Sequence, residues 1–342
     1  MSLPARPDED ALIARYFAPL AGPGALGLRD DAAVLRPPPG CDIVLTKDAL
    51  VAGVHFFASD PPGAIAQKAL RVNLSDLAAK GAEPLGFLLG LALPPDWAAD
   101  WLAAFAQGLG EDAGRFACPL LGGDTVKTPG PLTLSVTALG SVPQGRMVRR
   151  QSARAGDLLY VSGSIGDAAL GLRLRLGAAA DVSWIAALDD AGRAHLAARY
   201  LLPQPRLGLR GALLDCASAA MDISDGLVGD CRKLLGGGGV SGVIELARMP
   251  LSPAVRAAIA HAPALFGTVV TGGDDYEILC AVPPGEAPRF EAAAQACAIA
   301  VTRIGTVYID ADVKRNAGLH SIDSLPLPST NEEVDGFGGS GE

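Results

Sequence analysis

Apolar runs in this chain are short, and most of them stop at a glycine, a proline or an aspartate. The 42 glycines and 26 prolines in 342 residues enforce tight turns between brief elements. Hydrophobic residues make up 49% of the chain but aromatics only 5%, so its cores must be built of Ala, Leu and Val. Runs with strand character alternate with runs of helical periodicity, which predicts an α/β (α+β) chain. The length allows two domains. We place the boundary in the turn-rich, arginine-bearing stretch 146–156, giving residues 1–145, residues 146–328 and a polar, mobile tail over 329–342.

The firmest helical signal precedes Gly81 and Pro84. Leu70, Leu74, Leu77 and Ala78 recur at helical spacing, and Asn73 and Asp76 share a face. Trp97 to Phe116 reads as a second helix. Leu85 to Leu93 is all apolar, as a strand buried on both faces would be. Short strands are expected at Ile43–Leu45, Cys118–Leu121, Leu132–Val142, Leu158–Ser162, Ala219–Met221, Thr268–Thr271, Ile278–Val282 and Val301–Val307. Val51 to Phe57, carrying His55, reads as a further extended piece.

Charge and cysteine usage exclude several classes. The net charge of −9 without a Lys/Arg block argues against a nucleic-acid or anionic-membrane surface. Six cysteines lack any C-x-x-C pair and the four histidines are dispersed, so a zinc site is not expected. Such thiols suit a reducing cytoplasm. The N-terminus has no secretory h-region, and no apolar run approaches membrane-spanning length.

What stands out is a repeated context for aspartate. Asp30-Asp31, Asp48, Asp76, Asp124, Asp222 with Asp225, and Asp274-Asp275 each adjoin an apolar strand end or lie on an apolar helix. Singly, each reads as a cap or turn residue. Several of them converging would repel one another and require cations. Hard divalent ions take oxygen ligands, and Mg²⁺ commonly bridges to phosphates, so a Mg²⁺–polyphosphate site is the sharper expectation. No Walker-type G-x-x-x-x-G-K-[ST], kinase H-R-D or D-F-G, or G-x-S-x-G motif is present. Gly163-Ser-Ile-Gly166 is spaced wrongly for a dinucleotide loop and reads as a structural strand-to-helix turn.

Six motifs come in order: L-G-L-R-D-D-A-A-V (26–34), T-K-D-A-L-V-A-G-V-H-F (46–56), N-L-S-D-L-A-A-K-G-A-E-P (73–84), L-G-G-D-T (121–125), M-D-I-S-D-G-L (221–227) and T-G-G-D-D-Y-E-I (271–278). Together they resemble the thiamine-monophosphate kinases, within the aminoimidazole-ribonucleotide-synthetase-like ATP-binding superfamily, from about Leu12 to Val307. The resemblance implies a two-domain fold with an N-terminal ATP/Mg-binding and dimerisation domain. It also implies Mg²⁺-dependent transfer of the γ-phosphoryl group of ATP to thiamine monophosphate, and a homodimer. It assigns metal contacts to Asp31, Thr46, Asp48, Asp76, Asp124, Asp222 and Asp225, with Asp76, Asp124 and Asp225 in catalytic roles. ATP contacts fall on Gly123, Asp124, Arg150 and Ser224, and acceptor contacts on His55, Asp274 and Phe337.

Four departures stand against the family pattern. Arg29 replaces a glycine, Lys47 a threonine or serine, Asp274 a longer glutamate, and Phe337 stands near where the family has G-Y/W-D-H. Two rival readings remain: another ATP-dependent synthetase of the superfamily, and a non-catalytic nucleotide-binding regulator. The N-terminus lacks the Cys and Lys of selenophosphate synthetases, and Lys47 and Arg29 are the features that would favour a regulator.

Overall fold

The computed structural model describes residues 9–236 and 239–309. Its packing divides the chain into two units, Met1–Met147 and Val148–Glu342.

The first unit runs α1 (Glu9–Leu12), β1 (Cys41–Val51), α2 (Pro62–Ala79), β2 (Glu83–Leu93), α3 (Ala99–Arg115), β3 (Leu120–Lys127) and β4 (Thr133–Pro143). The strands form one sheet in the order β1-β4-β2-β3. β4 is antiparallel to both β1 and β2, whereas β2 and β3 are parallel. The segment from Glu9 to Leu20 is a single α-turn, continued as a π-turn and a 3-10 turn.

Two strands are longer than their apolar cores predict. β1 carries Thr46, Lys47 and Asp48 inside the strand because its ladder with β4 holds from Cys41 to Val51. β3 likewise continues through Gly122, Gly123 and Asp124, in register with Leu88, Leu89 and Gly90. Backbone pairing thus outruns the apolar pattern, and both aspartates sit in strands, not at their ends. β2 differs from expectation in another way. Leu89 and Leu91 are buried, but Leu88 is 40% exposed, so only one face is covered. Val51–Phe57 is a turn closed by an isolated bridge between Ala52 and Phe56.

The covered face packs against α2. That helix is buried nearly all round because α3 lies against it, and its buried Arg71 is paired across the contact. Arg71 Nε and Nη2 grip Asp112 of α3 at 2.5 and 2.9 Å, a two-pronged bond at almost no exposure. The helices approach closely at Gly63 and Gly108, where a Cβ on Gly108 would lie 2.4 Å from the Gly63 Cα. α2 stops as predicted: Gly81 turns with φ of 74°, and the amide of Ala82 bonds back to Leu77 at 2.8 Å.

The second unit runs β5 (Leu158–Ser162), α4 (Asp167–Leu176), α5 (Val182–Ala187), α6 (Asp190–Leu201), α7 (Arg210–Cys216), β6 (Ala219–Asp222), α8 (Leu227–Leu235), β7 (Val240–Ile244), α9 (Pro253–His261), α10 (Leu265–Thr271), β8 (Ile278–Val282), α11 (Ala287–Ala296) and β9 (Val301–Ile309). Its sheet, ordered β6-β8-β5-β9-β7, is antiparallel throughout. Leu159, Val161, Met221, Leu279 and Ala281 on its strands pack against Leu170, Val228, Val255 and Val269 on the helices. The β-branched run at 268–271, expected as a strand, is the end of helix α10. Leu265 and Val269 are buried one turn apart, and the Thr271 hydroxyl bonds back to Gly267, so packing overrides local β-propensity. Among the described residues, no helix is long and apolar enough to cross a membrane.

The α2–α3 contact yields a paired test. Gly108→Ala forces a methyl into the Gly63 backbone and is expected to lower unfolding free energy by about 1–3 kcal/mol. Gly114→Ala, on the same helix with open space around it, should be neutral or stabilising. Urea titrations of both variants check this, and equal stabilities would contradict the close helix contact.

Candidate active site

Strand alternation sends Thr46 and Asp48 of β1 to one face of the first sheet and Lys47 to the other. On the α2 side, the Thr46 hydroxyl donates to the Asp76 carboxylate. Asp48 is close enough to Asp76 to feel its charge. Burial first, and Asp76 second, push the Asp48 carboxyl up to about 6, against a lowering influence of Lys47. Asp76 also lies in the last turn of α2, where the helix dipole disfavours an anion and no basic residue is present.

The opposite face carries a second group. A cavity of about 640 Å³ is lined by Asp30, Asp31, Gly123, Asp124, Ser135 and Thr137, among others. Gly123 is required there, since a Cβ would lie 1.9 Å from the Leu89 carbonyl oxygen. Lys47 Nζ donates to Ser135 Oγ at 2.7 Å, which brings an ammonium to the cavity's edge. Arg29 is exposed beside Asp30 and Asp31. Asp48 pairs with Val136, Val136 with Leu89, and Leu89 with Gly123. The two groups thus share one row of the sheet but occupy its two edges, roughly 14 Å apart at ordinary strand spacing.

This donor set fits a hard divalent cation. It offers carboxylates and a hydroxyl without thiol or imidazole, and a raised Asp48 carboxyl marks a place where negative charge is under-neutralised. Among the described residues, no three His, Cys, Asp or Glu side chains are already gathered about one metal position. Thr46, Asp48 and Asp76 are the residues drawn together.

His55 stands exposed in the turn after β1. Its Nδ1 accepts the Val51 amide at 3.0 Å, so a neutral ring carries its proton on Nε2. The buried Lys68 donates to the His55 carbonyl at 3.0 Å and fixes the turn to α2. Asn73, three residues before Asp76 on α2, is fully buried and donates to the Ala69 carbonyl at 3.0 Å.

In the second unit, two loops lie backbone to backbone. Asp222 is buried at the end of β6, and Ser224 and Asp225 follow it. Both of their amides donate to Asp230 Oδ2, at 3.0 and 2.9 Å. Asp225 is exposed and ion-paired with Lys233, which also holds Asp230 at 2.8 Å. Sequence reading passed over Asp230 and Lys233, although their i, i+3 spacing on α8 behind an S-D-G turn is the signal that would have found them.

The other loop carries Asp274. Its amide donates to the Ser224 carbonyl at 2.9 Å, and its φ of 70° is unusual for a residue with a side chain. Asp275 is turned inward, accepting the Gly166 and Ala168 amides at the start of α4 at 2.7 and 3.2 Å. Burial pushes its carboxyl up to about 8 despite those bonds. Arg150 is exposed, and the backbone carbonyl of its neighbour Arg149 accepts the Ala220 amide of β6 at 3.1 Å. Phe337 and the tail 329–342 lie outside the described residues.

The chain matches known proteins along most of its length. The pattern of the AIR synthase related protein, N-terminal domain covers residues 29–142, and that of the corresponding C-terminal domain covers 154–316. A thiamine-monophosphate kinase of Caulobacter vibrioides is 46% identical over 306 residues, 88% of this chain and 84% of that protein. The crystal structure of thiamine-monophosphate kinase from Stenotrophomonas maltophilia K279a superposes with a TM-score of 0.76 at 37% identity, covering 90% of this chain and 95% of that one. The structure described as AaThiL complexed with AMPPCP and TMP has a TM-score of 0.69 at 29% identity, covering 87% of each chain. Identity of this extent across both AIR-synthase-related domains places the chain in the thiamine-monophosphate kinase family.

Proposed function

We propose that this chain transfers the γ-phosphoryl group of ATP directly to the phosphate of thiamine monophosphate, forming thiamine diphosphate and ADP. Family membership carries the reaction, and the Thr46–Asp48–Asp76 cluster is the observation that supports where part of it takes place. A neighbour in this family is known with AMPPCP and TMP bound, the pair of ligands such a reaction requires.

The acceptor is itself a phosphate, anionic at neutral pH, so no general base is needed to make it a nucleophile. An acceptor phosphate oxygen bonds to the γ-phosphorus as the bridge to the β-phosphate breaks and ADP leaves. Because that transition state is loose, positioning and charge neutralisation do most of the work. Thr46, Asp48 and Asp76, with Asp31 and Asp124 on the cavity side and Asp222 and Asp225 in the second unit, are the residues we assign to Mg²⁺. Separate ions held at these groups would supply neutralisation for two anionic substrates. Gly123 keeps backbone open to the nucleotide, and Arg150 and Ser224 are assigned to its phosphates. His55 offers Nε2–H, and Asp274 a carboxylate, to the acceptor.

Two further assignments rest on the same reading. The open face of the first sheet exposes Leu45, Leu88 and Val126 at 64%, 40% and 46%, and we assign it to pairing with a second copy of the chain. Cysteines free of disulfides among the described residues are compatible with a cytoplasmic location.

Turnover tests the reaction itself. ATP consumption should depend on thiamine monophosphate and yield thiamine diphosphate, whereas nucleotide binding without turnover would favour a regulator. Asp76→Asn should lower kcat by about 10²–10³-fold with the fold intact by circular dichroism; near-normal Mg²⁺-dependent turnover would remove Asp76 from the site.

The raised Asp48 carboxyl gives a pH test. Its folded-state value of about 6 lies above the ordinary 3.8. Its contribution to stability is therefore full below pH 4 and lost as pH rises through about 6. In metal-free buffer, Tm should fall from pH 5 to pH 7 more steeply in this chain than in Asp48→Asn. Added Mg²⁺ at pH 7 should raise Tm in this chain and less in the variant. Parallel Tm profiles with and without the ion would contradict the cluster's role.

A further inference from the structure

The loop that carries Asp274 is held by a carboxylate with no assigned role in substrate contact. Glu277 is fully buried. It accepts from Arg199 Nη2 at 2.7 Å, Arg206 Nε at 2.6 Å and Ser162 Oγ at 2.5 Å, with Arg206 Nη2 as a further donor. Arg199 Nη2 also reaches the Asp275 carbonyl at 3.2 Å. The cluster is therefore attached to the loop at two points.

Its backbone is attached as well. The Glu277 carbonyl accepts the Ile223 amide at 2.8 Å, and the Ile223 carbonyl accepts the Tyr276 amide at 2.8 Å. The seam leaves no room for side chains. A Cβ on Gly273 would lie 2.1 Å from the Ser224 carbonyl oxygen, and one on Gly226 2.3 Å from that of Thr271. Gly163 belongs to the same arrangement, since its Cβ would lie 2.2 Å from Glu277 Oε1 and 2.6 Å from Arg206 Nη2. The glycine of the Gly163–Gly166 turn thus makes way for a buried ion cluster, not for a dinucleotide.

Asp274 and Tyr276 hold φ of 70° and 49°, conformations that persist only where the surroundings over-determine them. Two guanidiniums on one buried carboxylate are a rigid determinant of that kind. By contrast, the Asp222–Asp225 segment has its own cap in Asp230, so it depends less on Glu277.

We propose that Glu277, held by Arg199 and Arg206, is a positioning residue for thiamine monophosphate: it fixes the Asp274 loop in its binding conformation without touching the acceptor. The proposal rests on the assignment of Asp274 to the acceptor. The test compares Glu277→Gln, Arg206→Lys and Asp274→Ala by thermal melts and by steady-state kinetics in both substrates. Displacing a binding group by about an ångström can cost up to ~10²-fold. Glu277→Gln should therefore raise the KM for thiamine monophosphate roughly tenfold or more, with kcat and the KM for ATP within about threefold. Arg206→Lys keeps the charge but loses the fork, and should shift the same constant in the same direction; it carries the test if Glu277→Gln does not fold.

A purely structural role would lower Tm and the active fraction but leave the acceptor KM of folded enzyme unchanged, and that result overturns the proposal. If Asp274→Ala still raises the acceptor KM in that case, the assignment of Asp274 stands and only the positioning role falls. If Asp274→Ala is also without effect, both fall.

Discussion

Two half-buried carboxylates brought within each other's field set the terms for the first unit. Apolar packing places α2 on the sheet, and that packing decides that Asp76 faces β1 whatever the electrostatic cost. Strand alternation then puts Thr46 and Asp48 on the same side. Protein cations do not settle the charge: Lys47 is turned to the other face and bonded to Ser135. A site that concentrates anionic oxygen without a matching basic residue suits a small hard cation, and through it a phosphate-bearing substrate. This is the logic by which an acidic chain can handle polyanions.

The second unit solves a different problem, that of holding short glycine-rich loops in unusual conformations. It does so with buried charge. Asp230 gathers the amides of the Asp222–Asp225 loop, Asp275 gathers those that open α4, and Glu277 locks two arginines beneath the Asp274 loop. In each motif the residues that would meet ligands alternate with residues that meet the protein. Asp274 and Asp275 show this most plainly: adjacent and chemically identical, one is half-exposed and the other fully enclosed.

That alternation explains what could be read from the sequence. The α2 helix was legible because its apolar period and its Gly81 stop agree, and the aspartate motifs were legible because their order is distinctive. Strand ends were not, since β1 and β3 continue through polar residues on the strength of backbone pairing alone. The 268–271 run misled because two valines and two threonines favour a strand until a buried neighbour one turn earlier is counted. The division of the first-unit aspartates between two faces depends on register, which no local pattern reveals. Asp230 and Lys233 are marked only by their spacing behind the S-D-G turn, and Glu277, although it lies within the T-G-G-D-D-Y-E-I motif, takes its role from arginines distant in the sequence.

The central claim is that Asp48 and Asp76 hold a divalent cation shared with a nucleotide. Crystals grown with Mn²⁺ and a non-hydrolysable ATP analogue test it directly, because manganese scatters anomalously and accepts the same oxygen ligands. The account predicts an anomalous peak about 2.0–2.2 Å from carboxylate oxygens of Asp48 or Asp76 and within reach of a phosphate oxygen. Manganese bound only by phosphates and water, with both carboxylates outside coordination distance, would contradict it.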